Sequence, residues 1–191
     1  MRNFHHPNSL LEEGVDHINI SSQSKTHLGK LLDPSYFKVI NYPHIGKFSS
    51  VLNLWYWLKS EAMDDRLRNY TGMKLKAIAL HKPYHKSIPN FRAIITYATY
   101  LKIKDYPTAI RDLSAFSEEM QFASYYTPRG SMVRMCSSYA ALIVDVADFI
   151  RLQLLKHEPI CFDKMATEPG SSEYFYLEPF LKSRLNKTEL P

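Results

Sequence analysis

The chain has 191 residues, 45% of them hydrophobic, which supplies apolar surface for one sizeable core. Its formal charge of +5, from 24 basic and 19 acidic residues, contains no block of like charge, which excludes a basic arm. Phosphate-rich ligands, nucleotides and nucleic acid stay open as partners. Two cysteines, Cys136 and Cys161, exclude a disulfide framework and a cysteine-based zinc site.

No basic, apolar and small-residue pattern opens the chain as a secretory signal would. The longest apolar stretch, residues 139–150, is broken by Asp145 and Asp148 and falls short of the roughly 18 residues needed to span a bilayer. A single cytoplasmic domain is therefore expected, with no membrane contact. It should be mainly α in an α+β fold, with a few short strands around compact helices.

Residues 1–23 are polar with scattered histidines and read as a loosely held arm. Ser49 or Ser50 then offers a cap, and Val51, Leu54, Trp55 and Leu58 follow at helical spacing. Asp64 to Tyr70 reads as a short helix opened by two carboxylates, with Gly72 placed for a left-handed cap. Leu75, Ile78 and Ala79 extend another turn or two until Pro83, and residues 83–89 form an exposed loop. A third helix begins near Pro89 or Asn90 and places Phe91, Ile94, Ile95 and Ala98 on one face as far as Ile103.

Asp105 reads as the cap of the next helix, with Pro107 in its first turn and Ile110 and Leu113 facing inward. Residues 120–127 alternate imperfectly and predict one short strand ending at Pro128-Arg129-Gly130. The last helix, 138–157, carries Ile143, Ala147, Ile150 and Leu154 on a stripe broadened by Leu142, Val146 and Phe149. Beyond it, residues 159–191 read as an extension whose Tyr174, Phe175, Tyr176 and Phe180 need burial, on the same chain or on a partner.

Few motifs carry chemistry. His81 and His85 are spaced for a metal on a helix, but Pro83 lies between them and no third ligand is near, so no metal and no cofactor is expected. Six glycines form neither GxGxxG nor GxxxxGK[ST]. Cys136 reads as a small buried side chain. The run from Gly46 to Leu58 is different: a serine loop feeds a helix start whose amides could hold an anion, and Trp55, Tyr56 and Trp57 cannot all face one core.

Phe48-Ser49-Ser50-Val51, with an aromatic helix reaching Lys59, resembles the phenylalanine-serine-valine-glutamate signature of the NADAR family of YbiA-like N-glycosidases. Leu75-Lys76 with Ala79 resembles that family's alanine-lysine-x-x-glycine segment. Phe91 to Leu113, including Lys102-Ile103-Lys104-Asp105-Tyr106-Pro107, resembles its helix that ends before a proline and a second short helix. Leu28 to Asp33 lies where the family approaches its site, so the resemblance spans residues 28–113.

The resemblance implies a mostly helical domain that cleaves N-glycosidic bonds of ribosylated compounds such as ADP-ribose on guanine. Leu52 stands where the family has its acid, and the family's later aspartate before tryptophan-glycine has no counterpart in 122–133. Glycosidic cleavage needs a carboxylate beside the oxocarbenium-like state. Asp33, Glu61 or Asp105 would have to supply it, with Asp33 and Asp105 the leading candidates. Ser50, Trp55, Tyr56, Lys59, Lys76 and Lys102 are expected to bind a nucleotide or ADP-ribose-like ligand. The competing expectation is a non-catalytic structural protein that kept the scaffold and assembles, with itself or other proteins, through its terminal arms.

Overall fold

The computed structural model describes residues 12–43, 45–80, 88, 91–116, 120–126, 134–135, 138–158 and 160; at residues 80, 134–135 and 138–139 it describes the backbone alone. In chain order the elements are β1 (His17–Asn19), α1 (His27–Leu32), β2 (Ile40–Tyr42), β3 (Gly46–Phe48), α2 (Val51–Lys59), a 3-10 turn (Asp65–Arg68), α3 (Gly72–Leu80), α4 (Phe91–Ile103), α5 (Pro107–Ala115), β4 (Gln121–Ala123), β5 (Tyr125–Tyr126), β6 (Arg134–Met135) and α6 (Ser138–Leu155). The fold is mixed α+β and mainly helical, with small two-stranded sheets. No helix among the described residues is long and apolar enough to cross a membrane.

Contacts divide the chain into two compact units that are discontinuous in sequence. The first is built from residues 1–36 and 103–158, the second from 37–102 and 159–191. In the first, β1 pairs parallel with β4, joining Ile18 to Phe122. Residues 17–20 are all buried, so the described part of the opening segment supplies a core strand where a loose arm was expected. α1 packs on that strand through Gly29, where a Cβ would collide with the Asn19 carbonyl and the Ser24 hydroxyl. From α6, Arg151 donates to the Met120 carbonyl, pairs with Asp148 at 2.9 Å and lies 5.2 Å from the Phe122 ring centroid.

The expected single strand over 120–127 is two, β4 and β5, which pair with different partners. Asp105 is not the cap of α5. Tyr106 holds that position and makes no side-chain cap bond, and Pro107 opens the helix with a φ already suited to it and one orphan amide fewer. Of the two side chains expected to face inward from α5, Leu113 is buried and Ile110 half-buried.

In the second unit β2 and β3 form an antiparallel hairpin with Ile40, Tyr42 and Phe48 turned inward. β3 feeds α2 through Ser50, whose hydroxyl accepts from the Asn53 amide and donates to Asn53 Oδ1 at 2.6 Å. Asn53 has no exposed surface, and its Nδ2 donates at 2.6 Å to both the Leu67 and the Tyr70 carbonyls.

Arg68 completes the joint. It donates to the Ile45 carbonyl at 2.9 Å, pairs with Asp65, and sits 4.5 Å from the centroids of both Phe48 and Trp57. The short helix expected over 64–70 is this 3-10 turn, capped by Asp64. Gly72 takes a left-handed φ of +56° as expected, but there the chain turns directly into α3. The loop 83–89, apart from Ile88, lies outside the described residues, as do His81, His85, Cys136, Cys161 and the aromatic cluster of 174–180.

Replacing Asn53 by Ala strands a buried carbonyl on the 3-10 turn and removes the partner of Ser50. A loss of about 3 kcal/mol is expected, read as a lower urea midpoint at unchanged m. Asn53→Asp should be no better, since a carboxylate cannot donate to either carbonyl. Gly29→Ala should cost a similar amount, about 3 kcal/mol, by forcing α1 off β1.

Candidate functional site

Four of the residues singled out for binding sit on or beside α2. Seven of the nine residues of that helix are buried, and only Tyr56 and Lys59, one turn apart, reach solvent. Trp55 and Trp57 are both buried, at 6% and 4% exposure, because each has its own aromatic neighbour. Trp55 meets Phe91 of α4 edge to face at 4.6 Å, and Trp57 meets Phe48 at 5.5 Å. Tyr56 is the ring left over for solvent. Partial burial raises its hydroxyl above the ordinary tyrosine range, so it is a donor at neutral pH.

The Lys59 ammonium lies 5.4 Å from the Trp55 ring centroid and 5.6 Å from that of Phe91. It pairs with no carboxylate among the described residues. Two ring quadrupoles orient the ammonium without neutralising its charge. The half-buried Phe91 ring contributes to the same place. Sequence reasoning set Phe91 on the core face of its helix, and its position facing Lys59 depends on how α2 and α4 pack.

Ser50 is 3% exposed and spends its hydroxyl on Asn53. Lys76 is exposed on α3. Lys102, near the end of α4, is fully buried and engaged in an interaction of its own. Leu52 is buried on α2 at 7% exposure. Asp33 and Asp105 belong to the first unit. Asp33 Oδ1 accepts from the Ser35 amide at 2.7 Å and its hydroxyl at 2.6 Å, an Asx turn after α1. Asp105 is exposed in the turn before α5.

A second polar cluster, which sequence reasoning missed, lies in the first unit. Glu13 Oε1 accepts from the Ser24 hydroxyl at 2.6 Å and the Lys25 amide at 2.8 Å. The Tyr125 hydroxyl is raised first by burial and then by the charge of Glu13 and a hydrogen bond to it. That hydroxyl also lies 2.9 Å from His17 Nε2. His17 Nδ1 is buried and has no hydrogen-bond partner among the described residues. No local sequence signal marks the cluster, because His17 and Tyr125 are 108 residues apart.

Comparison of the chain with models of protein families, with curated proteins and with solved structures returned no match.

Burial lowers the pKa of His17 below 6.5, against the opposing pull of Glu13 and Asp16. Above pH 6.5 the ring is neutral in both folded and unfolded chains and its contribution to stability is fully present. As pH falls through that value, the unfolded chain takes up a proton that the folded chain resists, and stability is lost. Urea titrations between about pH 7 and pH 5 should show a steeper fall for the native protein than for His17→Gln, which cannot take up that proton. Parallel curves would contradict the assignment.

Proposed function

We propose that this chain is a diverged NADAR-like module that binds an anionic, ribosylated nucleotide-like ligand without cleaving it. The observation that carries the reading is the single open line of α2, where Lys59 stands over the Trp55 and Phe91 rings one helical turn from Tyr56. An ammonium with no carboxylate partner among the described residues suits a diphosphate, a protonated phenol suits a phosphate or ribose oxygen, and the Phe91 ring suits a base.

Catalysis is left out on chemical grounds. Leu52 occupies the position of the resembled family's acid, and a buried leucine neither stabilises an oxocarbenium-like state nor moves a proton. Electrostatic help of that kind is commonly worth about 3 kcal/mol, or roughly a hundredfold in rate. Of the three carboxylates that could replace that acid, Glu61 and Asp105 are exposed and Asp33 accepts from the Ser35 amide and hydroxyl.

The commitment of Ser50 and Trp55 to the fold favours a second reading, a structural or interaction protein that retains the scaffold and binds no nucleotide.

ADP-ribose at millimolar concentration should raise the melting temperature of the native protein, since a ligand that binds only the folded state shifts unfolding. Lys59→Glu should abolish the shift while leaving the ligand-free melting temperature within about 2 °C, because the ammonium is a half-exposed cation. Incubation with ADP-ribosylated guanosine should release no ribose phosphate by mass spectrometry. An unshifted native protein would leave the structural reading in place.

A further inference from the structure

The charge of the chain is unevenly placed. Residues 37–102 hold eleven lysines and arginines against three acids, a net of +8 in a chain whose total is +5, so the remainder is net −3. Two of those three acids are used locally, Asp64 by Arg66 and Asp65 by Arg68. Lys47, Lys59, Lys74 and Lys76 pair with no carboxylate among the described residues.

α3 carries two of these lysines and no acid. Leu75 is buried, while Met73, Lys74, Lys76 and Ala77 are exposed, Met73 by 79%. At about 100° per residue, Met73 and Ala77 form the middle of the outward face, with Lys76 along one side, Lys74 along the other and Leu75 pointing away. An apolar ridge between two cations that no described carboxylate neutralises calls for a partner that is both apolar and acidic. A phosphodiester backbone would satisfy the lysines and leave the ridge in water. One methionine and one alanine are too little apolar area to seat a helix in a bilayer.

The chain itself contains such a partner. Residues 168–178, Glu-Pro-Gly-Ser-Ser-Glu-Tyr-Phe-Tyr-Leu-Glu, carry three glutamates, no lysine or arginine, and four consecutive large apolar side chains. They lie outside the described residues, beyond Ile160. The thirteen residues from Ile160 to Glu173 span up to about 43 Å when extended, enough to cross a small domain.

We propose that residues 168–178 dock on the outward face of α3, with the Tyr174–Leu177 side chains over Met73 and Ala77 and Glu173 and Glu178 at Lys74 and Lys76. The pairing joins the most acidic and aromatic stretch of the chain to its most basic exposed helix, and covers both. It is independent of the Lys59 site.

Zero-length carbodiimide cross-linking of the full chain at low micromolar concentration, with peptide mass spectrometry, tests this directly. The expected products join Lys74 or Lys76 to Glu173 or Glu178. In a mixture of light and heavy-isotope protein they should join light to light and heavy to heavy. Met73→Asp should cut their yield several-fold while the circular dichroism stays native, because the side chain is exposed and an acid near a helix start is tolerated.

The double charge exchange of Lys74→Glu and Lys76→Glu with Glu173→Lys and Glu178→Lys should restore cross-links between the same positions. Three results would each overturn the proposal: no such cross-link in the native protein, cross-links mainly between light and heavy chains, which would place a second copy on α3, or a yield indifferent to Met73→Asp.

Discussion

The second unit turns on one buried side-chain amide. Asn53 lies on the third residue of α2, and its three hydrogen bonds tie the helix start to the Leu67 and Tyr70 carbonyls at the 3-10 turn and to the Ser50 hydroxyl before it. A buried amide is costly unless its donors and acceptor are all met, and here the partners come from the helix cap on one side and the 3-10 turn on the other. Once the turn is fixed, Arg68 falls between Phe48 and Trp57, with Asp65 holding its guanidinium. Trp57 adds its own bond to Asp65 at 3.2 Å, so helix and turn share one carboxylate.

That joint decides what α2 can offer outward. With Val51, Leu54 and Leu58 in the core, Trp57 committed to Arg68 and Trp55 committed to Phe91, the helix has only Tyr56 and Lys59 left for solvent. The candidate site is therefore what the packing leaves over, and its chemistry is narrow: one cation, one phenol and the neighbouring ring of α4. The first unit uses the same device at Arg151, where a guanidinium on a helix bonds the carbonyl just before β4 and lies against a ring of that strand.

Much of this was legible. α2, α4 and α6 declare themselves because an amphipathic or buried helix repeats its apolar side chains at 3.6 residues, and the Ser50 cap is a local signal. Lys59 is four residues from Trp55, which already places them on one helical face. What escaped was non-local. β1 is three residues long, is followed by no hairpin, and finds its parallel partner 104 residues later at Phe122, so nothing nearby marks Ile18 as core. Lys102 reads as a surface cation by type and is fully buried by position. Ser50 looks available to a ligand until the Asn53 amide is placed beside it, and Asp105 looks like a cap until Tyr106 takes the residue before Pro107.

Charge gives the last example of the same point. Averaged over the chain, +5 is unremarkable and names no partner. Divided as the fold divides it, with residues 37–102 in one unit and 1–36 with 103–158 in the other, the same residues give +8 for the first of these stretches and a negative remainder. A window slid along the sequence dilutes this, because the basic stretch contains buried runs such as Val51–Leu54 that carry no charge at all. Burial removes those runs from the surface and concentrates what is left. The electrostatic identity of this protein is thus set at the level of the folded unit: Asp64 and Asp65 are engaged by neighbouring arginines, and Lys74 and Lys76, which no described carboxylate pairs, are exposed on α3 as charges whose attraction for an anion is screened by salt.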